Sequence, residues 1–128
     1  MCQNSCNECP KKIFSTAVAV NTINSVDTLI ISIPQQTFRN CERGCLVIVQ
    51  SIPTAATINM PVAIAIGDDT TTVYPLVDGN CDTVTPCMLR TRRRYPFKIA
   101  TNITGGTFKI LRNLSCGPGG NLTTIPQT

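Results

Sequence analysis

Arg94-Tyr95-Pro96-Phe97-Lys98-Ile99-Ala100-Thr101 sets a large apolar side chain at every second position. With that period, Tyr95, Phe97 and Ile99 share one face of an extended chain, and Arg94 and Lys98 share the other. On a helix the same residues would scatter around the axis. The stretch reads as a half-buried β-strand with an apolar inner face and a basic outer one.

The same period recurs in both directions from it. Thr107–Leu114 follows the Gly105-Gly106 turn signal and turns Phe108 and Ile110 inward. Upstream, Ile13–Val20, Thr28–Ile33, Cys45–Ile52, Thr57–Ile66 and Thr70–Val77 read as further strands, stopped by Pro34, Pro53, Gly67-Asp68-Asp69 and Asp78-Gly79. Thr57–Ile66 places Ile58, Met60, Val62, Ile64 and Ile66 on one face. Asp78-Gly79 is the strongest short hairpin signal, and Val84–Arg90 reads as a short strand or a loop. Seven or eight short strands without a helical stretch predict an all-β protein, a single β-sandwich of jelly-roll or Greek-key type. All the aromatic residues are expected to face inward.

Composition agrees with strands and points toward association. Ile, Val and Thr are abundant, and charged residues make up 14% of the 128, against about a quarter in an average soluble protein. Low surface charge favours association over monomeric solubility. At this length one domain can bury roughly two-thirds of its unfolded surface without metal or disulfide support. The chain divides into an N-terminal Cys-rich arm (1–12), a β-sandwich body (13–116) and a Gly-, Pro- and Thr-rich tail (117–128). No apolar run is long enough to cross a membrane. The first residues lack the charged start and apolar stretch of a secretory signal, so synthesis in the cytosol is expected.

Eight cysteines and no histidine narrow the chemistry. Cys2, Cys6 and Cys9 have the C-x3-C-x2-C spacing of radical-enzyme iron–sulfur sites, but those enzymes are much larger α/β barrels. A zinc site would need four thiolates, such as Cys6 and Cys9 with Cys41 and Cys45. Disulfides are the third reading. Cys41 and Cys45 bracket a turn and Cys81 and Cys87 bracket a loop, so both spacings could close local bridges, while arm cysteines could reach a neighbour. Inert buried thiols are the fourth. No cofactor is expected.

Catalysis finds little to use. The commonest general base is absent, four of the acids (Asp68, Asp69, Asp78 and Asp82) sit at turn positions, and no phosphate loop, nucleophile elbow or dinucleotide fingerprint occurs. The sequence is not expected to encode an enzyme. The formal net charge of +4 is concentrated in Arg90, Arg92, Arg93, Arg94 and Lys98. Such a basic strand could contact phosphates, face solvent to blunt edge pairing, or meet an acidic patch on a neighbour. The modest overall charge and inward aromatics disfavour nucleic acid, and the neighbour contact is preferred.

A cytosolically made jelly-roll with an N-terminal cysteine arm and the Arg93-Arg94-Tyr95 strand resembles the subunits of bacterial endospore appendages. In that family the arm of one subunit bridges to its neighbours through disulfides. The resemblance implies Cys2, Cys6 and Cys9 as arm cysteines and Cys41, Cys45 or Cys116 as body partners, although adjacent arm cysteines are lacking here. The chain is also similar to small β-sandwich proteins that decorate phage heads. Both imply a structural part of a repeating assembly, at a spore surface or appendage or in a virion, partnered by its own copies or by a larger shell. A zinc-stabilised domain and a monomeric binding module are the remaining readings.

Overall fold

A computed structural model describes residues 11–53, 56, 59–102, 105–114 and 116. Eight strands form one mixed sheet: β1 (Lys12–Phe14), β2 (Ala17–Ile23), β3 (Val26–Ile33), β4 (Arg43–Val47), β5 (Val62–Ile66), β6 (Asp69–Val77), β7 (Arg94–Asn102) and β8 (Gly105–Ile110). Their order is β1-β4-β7-β8-β6-β5-β3-β2, and the sheet curls into a half-barrel. The all-β expectation holds. One continuous sheet wraps the core. Three of its pairs are parallel (β1 with β4, β3 with β5, β6 with β8).

Two corners make the curl. The first splits the expected strand Ile13–Val20. Ile13 and Phe14 pair with Leu46 and Val47 at one end of the sheet, whereas Ala17 pairs with Ser32 at the other. Ser15 is the pivot. Its N–H donates to the Val47 carbonyl (2.9 Å), and the next N–H, of Thr16, donates to the Ser32 carbonyl (2.8 Å). The buried Ser15 hydroxyl donates to the Gln50 side chain and accepts from the Val49 N–H (2.9 Å), so the corner loses no polar partner. The second corner is in β6, which pairs with β5 up to Pro75 and with β8 from Leu76. Pro75 has no N–H to give to either ladder, which suits the residue where pairing changes sides.

Inside lie Leu29, Ile31 and Ile33 of β3, Leu46 of β4, Val62 and Ile64 of β5, and Leu76 of β6. Tyr95, Phe97, Ile99, Phe108 and Ile110 join them from β7 and β8, so the opening stretch turns inward as its period predicts. Phe38, from the β3–β4 loop, caps this wall edge-on to Phe108 (centroids 5.3 Å apart) and Phe97 (6.2 Å). Gly44 is where β4 passes over the Phe97 ring, since a Cβ there would stand 2.8 Å from Cζ.

Several local expectations are corrected. Asp78-Gly79 is not a two-residue hairpin. The buried Asp78 carboxylate accepts N–H bonds from Asn80 (2.9 Å) and Asp82 (3.1 Å), which spreads the turn over five residues before Thr83 bridges back to Val77. Its left-handed residue is Cys81 (φ 66°). Val84–Arg90 forms a loop around a short 3-10 turn, Pro86–Met88. The expected Gly105-Gly106 turn instead begins β8, and Ile58 lies outside the described residues. Among the described residues, no helix is long and apolar enough to cross a membrane.

Candidate assembly surface

The outer face of β1, β4, β7 and β8 carries two of the basic residues singled out in the sequence, Arg94 and Lys98, and adds others. Strand register sets Arg43 directly opposite Lys98, and Lys98 directly opposite Lys109. Three cations thus stand in one row across three neighbouring strands. Like charges facing each other in a sheet are destabilising, by a few tenths to about 1 kcal/mol per pair. Beside this row, Lys12, Cys45 and Pro96 are aligned, and the Leu111 N–H donates to the Pro96 carbonyl (2.8 Å). Phe14, Val47 and Arg94 form the next row. Phe14 is 51% exposed, which corrects the expectation that every aromatic faces inward. Ile13 takes the core position, and the period of two turns its neighbour outward.

Arg90, Arg92 and Arg93 lie in the loop entering β7. Their side chains are exposed, but backbone bonds hold the loop. The Arg92 N–H, at a left-handed φ of 69°, donates to the Ile48 carbonyl (2.7 Å), and the Arg90 N–H donates to the Tyr95 hydroxyl (2.6 Å). Burial pushes the Tyr95 phenol above its ordinary pKa, against the pull of that hydrogen bond and the nearby arginines. Arg112 extends the basic face by donating to the Arg94 carbonyl (2.7 Å).

Counter-ions are scarce. Among the described residues one ion pair forms, Lys11 with Glu42 (3.7 Å), and the Glu42 carboxylate also accepts the Arg39 N–H. None of β2, β3, β5 and β6 contains a Lys or Arg, so strand-borne cations are confined to one half of the sheet. Arg94 and Lys98 were legible as outward-facing from alternation alone. Arg43 and Lys109 alternate with inward residues too. What the sequence hid is that they flank Lys98.

Cys87 and Cys116 are joined by a disulfide with their Cα atoms 4.9 Å apart, tying the 3-10 turn to the chain after β8. The local bridges Cys41–Cys45 and Cys81–Cys87 are not formed: Cys41 and Cys81 are exposed free thiols, each at a left-handed turn position. Cys45 is fully buried and engaged in a disulfide. The arm cysteines Cys2, Cys6 and Cys9 lie outside the described residues, as does the tail from 117. Among the described residues no group of three or more Cys, Asp or Glu could hold a metal, and the set proposed for zinc falls partly outside them.

A cleft of about 450 Å³ opens at one end of the half-barrel. Phe38, Tyr74 and Phe108 line it together with Gln35, Thr72 and Thr107. Asp69 is its carboxylate, accepting the Thr72 N–H (3.2 Å).

Comparison with family models, characterised proteins and solved structures finds no match.

Proposed function

We propose that this chain is a non-enzymatic structural subunit of a repeating assembly, meeting its neighbours through the outer face of β1, β4, β7 and β8. The observation that carries this reading is the Arg43–Lys98–Lys109 row. Cations held opposite one another oppose folding, and among the described residues no acidic side chain pairs with the row. An acidic surface on a neighbour supplies the missing charge, and the exposed Phe14 and Leu111 give the contact an apolar component. The arm cysteines Cys2, Cys6 and Cys9 would add covalent links between subunits, as in a spore surface or appendage. A shell of other proteins meeting the same face would make the chain a virion decoration protein.

A monomeric binding module is the second reading, favoured by the aromatic-floored cleft at Phe38, Tyr74 and Phe108.

Negative-stain electron microscopy of the purified chain, with and without reductant, tests the first reading. Ordered filaments or shells are expected, weakened in an Arg94→Glu/Lys98→Glu variant that still folds. A uniform monomer in every condition, alone and with candidate acidic shell proteins, would leave the cleft as the site to study.

A further inference from the structure

The sheet has two edges, and they are built differently. β1 is three residues long and carries Lys12, with Lys11 before it. A short, charged edge is how natural sheets avoid pairing with strangers. β2, at the other edge, is seven residues long, Ala-Val-Ala-Val-Asn-Thr-Ile, with no charge and no proline. No register shift interrupts its pairing with β3.

The β2–β3 turn fixes which backbone groups face out. Asn24 and Ser25 both take left-handed φ (52° and 67°), the requirement of a type I′ hairpin, and Ile23 pairs with Val26 across them. A two-residue loop of this type closes on a hydrogen-bonded pair, so bonding to β3 alternates back through Asn21, Ala19 and Ala17. The N–H and C=O groups of Val18, Val20 and Thr22 therefore point to the open edge. Among the described residues none of these groups has a partner outside the sheet. The side chains of Val18 and Val20, turned toward the core, are themselves only half-buried.

We infer that β2 pairs antiparallel with β2 of a second copy about a two-fold axis at Val20, joining two half-barrels into one continuous sheet. Two observations favour a second copy. The strand is uncharged, so self-pairing brings no like charges together. The residue set Val18, Val20 and Thr22 is symmetric about its centre: Val18 would face the copy's Thr22 and Val20 the copy's Val20, with about six hydrogen bonds in all. The contact deepens the assembly reading and rests on it for its purpose, but uses none of the residues of the basic face.

Sedimentation velocity of the full chain over a concentration series, in low and moderate salt, tests it. Wild type should dimerise, and Thr22→Pro should be monomeric while keeping its far-ultraviolet dichroism. That proline removes an N–H that β3 does not use, so the fold tolerates it while the edge is blocked. Val20→Lys and Val20→Glu should each be monomeric, and mixing them in equal amounts should restore a dimer at low salt, because only a two-fold at Val20 brings the two side chains together. A monomeric wild type, a Thr22→Pro dimer, or a mixture that stays monomeric would each overturn the pairing. Wild-type monomers that nevertheless build ordered arrays would refute the edge contact alone, whereas dimers that never build arrays would refute the assembly reading alone.

Discussion

Replacing Lys98 by Gln should make the isolated protein more stable. Lys98 faces Arg43 on one side and Lys109 on the other. Gln keeps most of the side-chain length and removes the charge. Each like-charged cross-strand pair costs a few tenths to about 1 kcal/mol, so relief of both should stabilise the fold by about 0.5–1.5 kcal/mol at low ionic strength. For a domain of this size that is a rise in Tm of about 2–6 °C. The partly buried Lys stem works in the other direction, because each methylene removed from a buried setting costs up to about 0.8 kcal/mol.

Salt separates the two effects. Screening shortens the reach of a charge from about 30 Å at 0.01 M to about 3 Å at 1 M, while loss of packing is indifferent to it. Urea unfolding of wild type, Arg43→Gln, Lys98→Gln and the double variant, each at low and high salt, gives the coupling between the two cations directly. The expected coupling is repulsive and fades with salt. An attractive or zero coupling at low salt would mean that the row is already neutralised, and the reason for invoking an acidic neighbour would be gone.

The Cys87–Cys116 bridge closes a loop of sequence separation 29, so loop entropy gives it up to about 3–4 kcal/mol; a Cys87→Ala/Cys116→Ala variant should unfold at correspondingly lower urea, and an unchanged midpoint would show that the bridge is not formed in solution. Burial tends to raise the Asp78 pKa, but the N–H groups of Asn80, Asp82 and Leu114 outweigh it and hold the folded pKa below its ordinary value near 3.8. Its contribution is therefore present above that value and lost as pH falls through the lower folded pKa, and Asp78→Asn should flatten the acid limb of a stability-versus-pH series. An identical acid limb in the variant would assign the loss to other carboxylates. Gly79→Val should destabilise by about 1–3 kcal/mol, since even a Cβ there would lie 2.8 Å from the Asn113 side chain and 3.0 Å from the Arg112 carbonyl carbon; unchanged thermal unfolding would show that this loop yields freely.

Alternation revealed the faces of strands, because side-chain direction follows from the local chain alone. Tyr95, Phe97 and Ile99 against Arg94 and Lys98 needed no tertiary knowledge. Turn chemistry was less transparent. Asp78-Gly79 carries the residues of a tight hairpin, but the Asp78 carboxylate captures the N–H groups of Asn80 and Asp82, and the left-handed position falls on Cys81. The break within Ile13–Val20 was hidden for another reason. Ser15 has no unusual local signal, and its role comes from Gln50, 35 residues on. Cross-strand neighbours were out of reach altogether. Nothing in the spacing says that Arg43 meets Lys98, or that Cys87 meets Cys116.

Those long-range pairings decide how the surface reads. The corner at Ser15 sends one continuous stretch of chain to both ends of the sheet, so β1 and β2 become its two edges. A chain that worked alone would gain by protecting both. Here β1 is short and basic, and β2 is long, uncharged and complete in its pairing to β3. The far half of the sheet meanwhile gathers the strand-borne cations, two pairs of them face to face, with no ion pair to offset them among the described residues. An open edge invites wrong partners and a like-charged row weakens the fold. Both disadvantages fall on the isolated chain and disappear when a strand covers the edge and an acidic surface meets the row, which is the physical ground for reading this chain as one part of a larger object.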